Sequence, residues 1–156
     1  MVNEIDLVKK IAKLSFDKKA SNILAFDLVD FSDLARYTVI CSGSNDRQTK
    51  AIANNIYMSL KKEGILPYAV EGLETGNWIL LDYGNILVHI FLDYIRNYYA
   101  LERLWPKANP MQLDFSQEPS SNDVLVDTTI QNASTINIGA STIANNTTTM
   151  TRTRKE

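Results

Sequence analysis

The segment from Tyr37 to Arg47 constrains the fold more than any other part of the chain. An apolar run ends abruptly at residues 41–44, which read Cys-Ser-Gly-Ser, and a helical pattern follows as far as Glu63. This order predicts a buried strand, a tight turn and the N-terminus of a helix. Such a turn presents backbone N–H groups and the positive end of a helix dipole, a geometry that can hold a phosphate. The question is therefore whether the chain also supplies catalytic groups.

The turn lacks the paired carboxylates that a nucleotidyltransferase needs. In those enzymes a Gly-Ser turn holds a triphosphate, and two acids a short way on hold the metal ions. Here Asp46 stands alone at the start of the helix, and the next acid is Glu63 at its end. The sequence predicts no metal and no cofactor. Gly43, Ser44 and Asp46 are expected to form a structural turn and cap, with Ser44 or Asn45 as the N-cap residue.

Hydrophobic periodicity over residues 1–106 predicts an α/β domain. Patterns near period 3.6 indicate two helices, the first capped by Asn3 and the second ended by Gly64. Apolar runs at 24–29, 37–41, 66–70, 78–83 and 86–91 indicate strands. Gly84 and Asn85 separate the last two runs, which is typical of a two-residue hairpin turn. The order α-β-β-α-β-β-β-α predicts a mixed sheet flanked by helices.

A third helix is predicted from Asp93, as its N-cap, to Trp105. Its apolar and aromatic residues are dense, and such density usually indicates a core-facing helix. We expect the following residues near its buried side: Ile95, Tyr98, Leu101, Glu102 and Trp105.

The composition changes sharply after Trp105. From Pro106 onward the chain is rich in Ser, Thr and Asn, Phe115 is its only aromatic residue, and residues 128–151 carry no charge. A segment so poor in large apolar groups cannot offset its ordering entropy by burial. The composition therefore predicts a folded domain at 1–106 and a low-complexity, mostly disordered tail at 107–156. An alternative is strand pairing by the isoleucines between 130 and 143.

The whole-chain properties exclude several classes of function. A net charge of −2 and a pI near 5.4 disfavour broad binding of free nucleic acid. Cys41 is the only cysteine, so an intramolecular disulfide and a thiolate metal cage are both excluded. No apolar run approaches the roughly 20 residues that span a bilayer. Glu4 and Asp6 are atypical of a targeting peptide. These features predict a cytoplasmic protein without membrane contact.

His89 is the only histidine, and it lies in the second strand of the predicted hairpin. Pairing around the Gly84-Asn85 turn places Asp82 opposite Leu87, with His89 diagonal to it. An Asp–His pair could act as the base of a hydrolase, but no serine or cysteine nucleophile elbow accompanies it. A structural or interface histidine is the favoured interpretation, because catalysis requires several further partners.

Trp78 and Tyr83 on the hairpin have two open interpretations. Tryptophan and tyrosine are favoured at protein interfaces, and the polar loop at 71–76 suggests an exposed hairpin. Packing of Trp78 in the core explains the same residue equally well. The predicted partner-binding set comprises Trp78, Leu80, Asp82, Tyr83, His89 and Arg96.

Several spaced motifs resemble the ribosomal silencing factor family, also called Iojap-like. The resemblance covers about residues 5–106 and leaves the tail outside. Its carriers are 43–48 (Gly-Ser-Asn-Asp-Arg-Gln), 50–53 (Lys-Ala-Ile-Ala), Glu71-Gly72, 78–84 (Trp-Ile-Leu-Leu-Asp-Tyr-Gly), 88–91 (Val-His-Ile-Phe) and 96–105 (Arg-Asn-Tyr-Tyr-Ala-Leu-Glu-Arg-Leu-Trp). Asn85 and Arg36 depart from the family pattern, which has Asp at both places.

The resemblance implies a nucleotidyltransferase-like fold without catalytic carboxylates, and therefore a protein that is not an enzyme. It implies binding to the large ribosomal subunit at the subunit interface, through the fourteenth large-subunit protein, which blocks joining of the small subunit and represses translation. It is also compatible with a homodimer. The alternative is a nucleotidyltransferase or phosphate-ester hydrolase on the same scaffold.

Overall fold

A mixed sheet forms the centre of the molecule. The structure, a computed structural model, describes residues 2–116. Within that part of the chain the strands are β1 (Ser21–Asp27), β2 (Tyr37–Gly43), β3 (Ala69–Glu71), β4 (Trp78–Asp82) and β5 (Ile86–Leu92). The helices are α1 (Glu4–Asp17), α2 (Asp46–Lys62), α3 (Asp93–Tyr99) and a 3₁₀ helix at Leu101–Leu104. The five strands lie in the order β1-β2-β5-β4-β3; β2 and β5 are parallel, and the other neighbours are antiparallel. The predicted mixed α/β sheet and element order are confirmed.

Local sequence signals mark the start of α1 and both ends of α2. The Asn3 side chain accepts a hydrogen bond from the backbone N–H of Ile5 at 2.8 Å, and Asn45 accepts one from Gln48 at 2.8 Å. Ser44 and Asn45 were the two predicted N-cap residues of α2, and Asn45 is therefore the N-cap. Gly64 follows the end of α2 with a φ of +80°, a conformation that glycine adopts without steric cost.

The two faces of the sheet are covered differently. α1 and α2 pack on one face, where apolar side chains from both helices meet those of the central strands. On the other face α3, the 3₁₀ helix and Trp105 cover the β1–β2 side. The helix-side core includes Val8, Ile11, Ile52, Ile56, Val39, Val88 and Ile90, and the opposite core is built from Phe26, Leu28, Ile40, Phe91 and Ala108.

The third helix differs from its prediction in length and in capping. It ends at Tyr99 because Ala100 adopts the left-handed conformation, with a φ of 45°, and a 3₁₀ helix follows. Asp93 is the first helical residue, and Leu92 occupies the N-cap position. The predicted cap at Asp93 and the continuous helix to Trp105 are therefore wrong. The spacing of apolar residues does not indicate that the backbone changes conformation at Ala100.

The chain continues as ordered structure beyond residue 106. Ala108 is buried, and the Met111 N–H donates a hydrogen bond to the Ala25 carbonyl of edge strand β1 at 2.7 Å. Met111 and Leu113 pack against the helix-side core, and the ring of Phe115 stacks on Phe16 with centroids 4.6 Å apart. The expectation of disorder from residue 107 is therefore wrong for 107–116. Residues 117–156 of the predicted tail lie outside the described residues.

Candidate partner-binding surface

The register of the hairpin places four of the predicted binding residues on one face. Leu80 pairs with His89, and Asp82 pairs with Leu87, as the turn at Gly84-Asn85 predicted. Side chains along a strand alternate between faces, so Trp78, Leu80 and Asp82 point to the same side of the sheet as His89. This is the face opposite α1 and α2. Leu80 and Leu87 are half-buried there.

Trp78 lies between the core and the surface, and it is half-buried. Its ring lies 4.7 Å from that of buried Phe91 and 5.0 Å from that of exposed Tyr99, measured between centroids. Its indole N–H donates a hydrogen bond to Nδ1 of His89 at 3.0 Å. A tryptophan that is half-buried and anchored in this way is a rigid side chain, which is the kind that binds a partner at low entropic cost.

His89 is held in its neutral form. Burial lowers the pKa of its imidazole to about 4, because the charged form would lose its hydration. Nδ1 accepts from Trp78, so the remaining proton lies on Nε2. The Asp82 carboxylate, for its part, accepts the backbone N–H of Gly84 through Oδ1 at 2.8 Å. Asp82 and His89, the two groups of the hypothetical base, therefore both accept hydrogen bonds from within the hairpin.

The aromatic residues of α3 lie on the surface, next to Trp78. Tyr98 is 80% exposed and Tyr99 is 54% exposed, and their rings meet edge to face at 5.0 Å. The expectation that Tyr98 faces the core is therefore wrong. We define the aromatic patch as Trp78, Leu80, His89, Tyr98 and Tyr99. Its two tyrosines are exposed, Trp78 and Leu80 are half-buried, and His89 is buried. Exposed aromatic side chains next to half-buried apolar ones are typical of an interaction site.

Tyr83 and Arg96 do not join this patch. Tyr83 packs in the helix-side core, where burial raises the pKa of its phenol far above the ordinary value. Arg96 is 6% exposed and bonds to other parts of the same chain. Neither side chain is presented to a partner in this conformation. Nothing in the linear sequence around Arg96 indicates that its side chain is buried.

The Gly-Ser turn is closed by a side chain from its own helix. Oε1 of Gln48 accepts from the Ser44 backbone N–H at 2.8 Å and from the Ser44 hydroxyl at 3.0 Å. A Cβ added at Gly43 would lie 2.9 Å from Cγ2 of Thr49, so the turn packs closely on α2. Asp46 is exposed, with its carboxylate 4.0 Å from the Lys50 ammonium. The donors that could hold a phosphate at Ser44 are thus satisfied internally.

A cleft of about 450 Å³ lies beside α3, at the end of β2. It is lined by Ser21, Asn22, Leu24, Ser42, Asp93, Arg96, Asn97 and Glu102.

Over residues 2–116, no three His, Cys, Asp or Glu side chains come together in a way that could hold a metal ion. None of the described helices is long and apolar enough to cross a membrane.

Arg36, which is predicted to depart from the family pattern, forms an internal contact. Its guanidinium bonds to both carboxylate oxygens of Asp27, at 3.3 and 3.2 Å, and lies 5.1 Å from the ring centroid of Tyr37. This ion pair joins the last residue of β1 to the residue that precedes β2. The other predicted departure, Asn85, donates to the Glu4 carboxylate at the start of α1.

Comparison with known proteins identifies related chains. A family model described as "Ribosomal silencing factor during starvation" matches residues 2–138, so the expectation that the resemblance ends near residue 106 is wrong. A ribosomal silencing factor from Bacillus subtilis is 39% identical over 114 residues, which are 73% of this chain and 97% of that protein. An Iojap-related mitochondrial protein from Arabidopsis thaliana is 32% identical over 110 residues, covering 67% of this chain and 59% of that protein. A crystal structure of a protein from Chromobacterium violaceum has a TM-score of 0.63 and 31% identity, covering 76% of this chain and 98% of that one.

Proposed function

The chain belongs to the ribosomal silencing factor family, and from this membership we propose that it represses translation by binding the large ribosomal subunit. It binds at the subunit interface, through the fourteenth large-subunit protein, and prevents the small subunit from joining. The mechanism is steric, so it requires no cofactor. An interface of more than about 1,000 Å² is sufficient for a specific contact of this kind.

The aromatic patch is the observation that supports this proposal. It combines a rigid, hydrogen-bonded Trp78 with exposed tyrosines and half-buried Leu80. Asp82 on β4 and Glu71 on the edge strand β3 flank Leu80 on the same face of the sheet. Apolar anchors within a polar rim are the usual anatomy of a protein interface. A protein surface with aliphatic groups and a basic edge is the partner that fits this face.

A non-enzymatic role is part of the proposal. The nucleotidyltransferase alternative needs a second carboxylate near Asp46, and the hydrolase alternative needs free Asp82 and His89 side chains. The internal bonds of Ser44, Asp82 and His89 disfavour both alternatives. Action in the cytoplasm, and formation of a homodimer, remain further parts of the proposal that rest on the family.

The test is cosedimentation of the full chain with purified large subunits, combined with light scattering to follow subunit joining. Tyr98→Ala is the informative variant, because an 80% exposed side chain contributes little to folding. We expect it to weaken binding about tenfold or more and to restore joining in proportion. Leu34→Ala, at an 85% exposed position of the β1–β2 loop, is the control and should bind normally. Normal binding by both variants would contradict the choice of surface.

A further inference from the structure

The helix that carries Tyr98 and Tyr99 is too short to hold its own position. α3 has seven residues, and in the described chain no side chain caps its N-terminus. Isolated helices shorter than about 12 residues are marginal in water, so tertiary contacts must fix such a helix. Its C-terminal end turns at left-handed Ala100, directly after Tyr99. The orientation of Tyr98 and Tyr99 therefore depends on what ties α3 to the sheet.

Arg96 bonds to three other elements from the middle of this helix. Its Nε donates to the Glu102 carboxylate of the 3₁₀ helix at 3.1 Å. Its Nη1 donates to the Asn22 carbonyl of β1 at 2.6 Å and to the Ser42 hydroxyl of β2 at 2.8 Å. A planar guanidinium can reach three acceptors in fixed directions, whereas a lysine ammonium cannot reproduce this fork. The side chain is 6% exposed, so these bonds are shielded from water.

The sheet is adapted locally to receive Arg96. The pairing of β1 with β2 is irregular between Ser21 and Leu24, and Asn22 in this bulge has a φ of 49°. A β-bulge withdraws one residue from the regular ladder and redirects its groups. The carbonyl of Asn22 is consequently available to the guanidinium. The Asn22 carbonyl and the Glu102 carboxylate therefore hold the Arg96 guanidinium between β1 and the 3₁₀ helix.

We propose that Arg96 is a positioning residue: through Glu102, Asn22 and Ser42 it holds α3 so that Tyr99 packs on Trp78 and the aromatic patch is preformed. Arg96 itself does not touch the partner. The inference rests on the proposed function, because the preformed patch is the one that binds the large subunit. Preorganisation raises affinity by removing the cost of ordering side chains during binding.

The first test removes the part-buried ion pair between Arg96 and Glu102 without leaving an unpaired charge. Arg96→Met/Glu102→Leu replaces both partners by apolar groups, a change that is often neutral for stability. We expect the double variant to fold and to bind large subunits about tenfold more weakly. Lys10→Met/Glu63→Met is the matched control, because it removes an exposed ion pair between α1 and α2. Binding within twofold of wild type by the Arg96 double variant would overturn the inference.

A second variant separates positioning from direct contact. Ser42→Ala removes a hydroxyl that is buried inside the domain and cannot reach a partner. If Arg96 acts by positioning, this change weakens binding about threefold, the effect of one lost hydrogen bond. If Arg96 contacts the ribosome directly, Ser42→Ala leaves binding unchanged and the inference is rejected.

A spectroscopic readout is independent of the ribosome. The indole N–H of Trp78 gives one of two tryptophan resonances in a nitrogen–proton NMR spectrum, the other being that of Trp105. We expect the Trp78 resonance to shift in both Arg96 and Ser42 variants and to stay unchanged in the Lys10 control. An unshifted resonance would overturn the inference. If wild type fails to bind large subunits while the resonance shifts as expected, the proposed function fails and the positioning role stands.

Discussion

At the scale of single residues, the hydrogen bond between Trp78 and His89 connects the fold to the proposed binding surface. The bond spans β4 and β5 at 3.0 Å, and both rings pack near Phe91. The same contact fixes the protonation state of His89, because its Nδ1 must remain an acceptor. A buried neutral histidine makes the stability of the domain depend on pH.

Acid should destabilise the domain through His89. Above pH 6.5 the imidazole is neutral in both the folded and the unfolded chain. As the pH falls from 6.5 towards 4, the unfolded chain binds a proton that the folded chain excludes, since the folded pKa is about 4. The free energy of unfolding should therefore fall by about 2 kcal/mol between pH 7 and pH 5 from this residue alone.

Urea unfolding at pH 7 and pH 5 measures this contribution, with His89→Gln as the comparison. Glutamine can accept from Trp78 through its amide oxygen and does not titrate. The variant should lose about 2 kcal/mol less than wild type over the interval. The same pH dependence in both chains would show that His89 is not the responsible group.

At the scale of elements, the segment after the 3₁₀ helix closes one edge of the sheet. Pro110 forms an antiparallel bridge with Phe26, and Met111 bonds to Ala25 on the outer side of β1. An unpaired edge strand invites aggregation, so its cover has a protective role. Met111, Leu113 and Phe115 alternate with polar residues, and this period-two pattern is the signal that the prediction of a tail from residue 107 missed.

Truncation tests the contribution of this segment. A chain that ends at residue 106 should be less stable than one that ends at residue 116 by about 3 kcal/mol. Met111, Leu113 and Phe115 are half-buried, and each contributes roughly 1 kcal/mol by removing apolar surface from water. Thermal or urea unfolding of the two chains gives the difference directly, and the part of the chain after 116 is absent from both. Equal stabilities would mean that the segment packs without stabilising the domain.

At the scale of the whole molecule, the charge and the surface together favour a protein partner. The chain carries a net charge of −2, and the proposed surface is aromatic and aliphatic with carboxylates beside it. A contact with ribosomal RNA would need several lysine or arginine side chains on phosphates. The proposed surface therefore predicts that affinity depends only weakly on salt concentration.

Affinity for the large subunit should change by less than about tenfold between 50 and 200 mM salt. Contact with six to ten phosphates would lower it by about 10³–10⁵ over the same interval. Equilibrium binding with a labelled chain, at constant magnesium concentration, distinguishes the two cases. A steep salt dependence would show that RNA contacts dominate, and it would contradict a contact made mainly through a ribosomal protein.

The local features of this fold were predictable from the sequence because each depends on neighbouring residues. The caps at Asn3 and Asn45, the glycine after α2 and the hairpin turn follow from backbone chemistry within a few positions. The register of the hairpin then determines that Trp78, Leu80 and Asp82 share a face with His89. Family membership was also predictable, because several motifs occur in one order.

Only the tertiary structure decided which of these side chains are exposed. Tyr98 and Arg96 lie two positions apart on one short helix, yet the tyrosine is 80% exposed and the arginine 6%. Periodicity indicates an apolar face, but burial depends on which distant strands lie opposite that face. The bulge at Asn22, the hydroxyl of Ser42 and the carboxylate of Glu102 come together across 80 positions of the chain. The sequence by itself therefore determined the element order and the hairpin register, because both depend on neighbouring residues. Long-range packing determined where the third helix ends and which of its side chains are exposed.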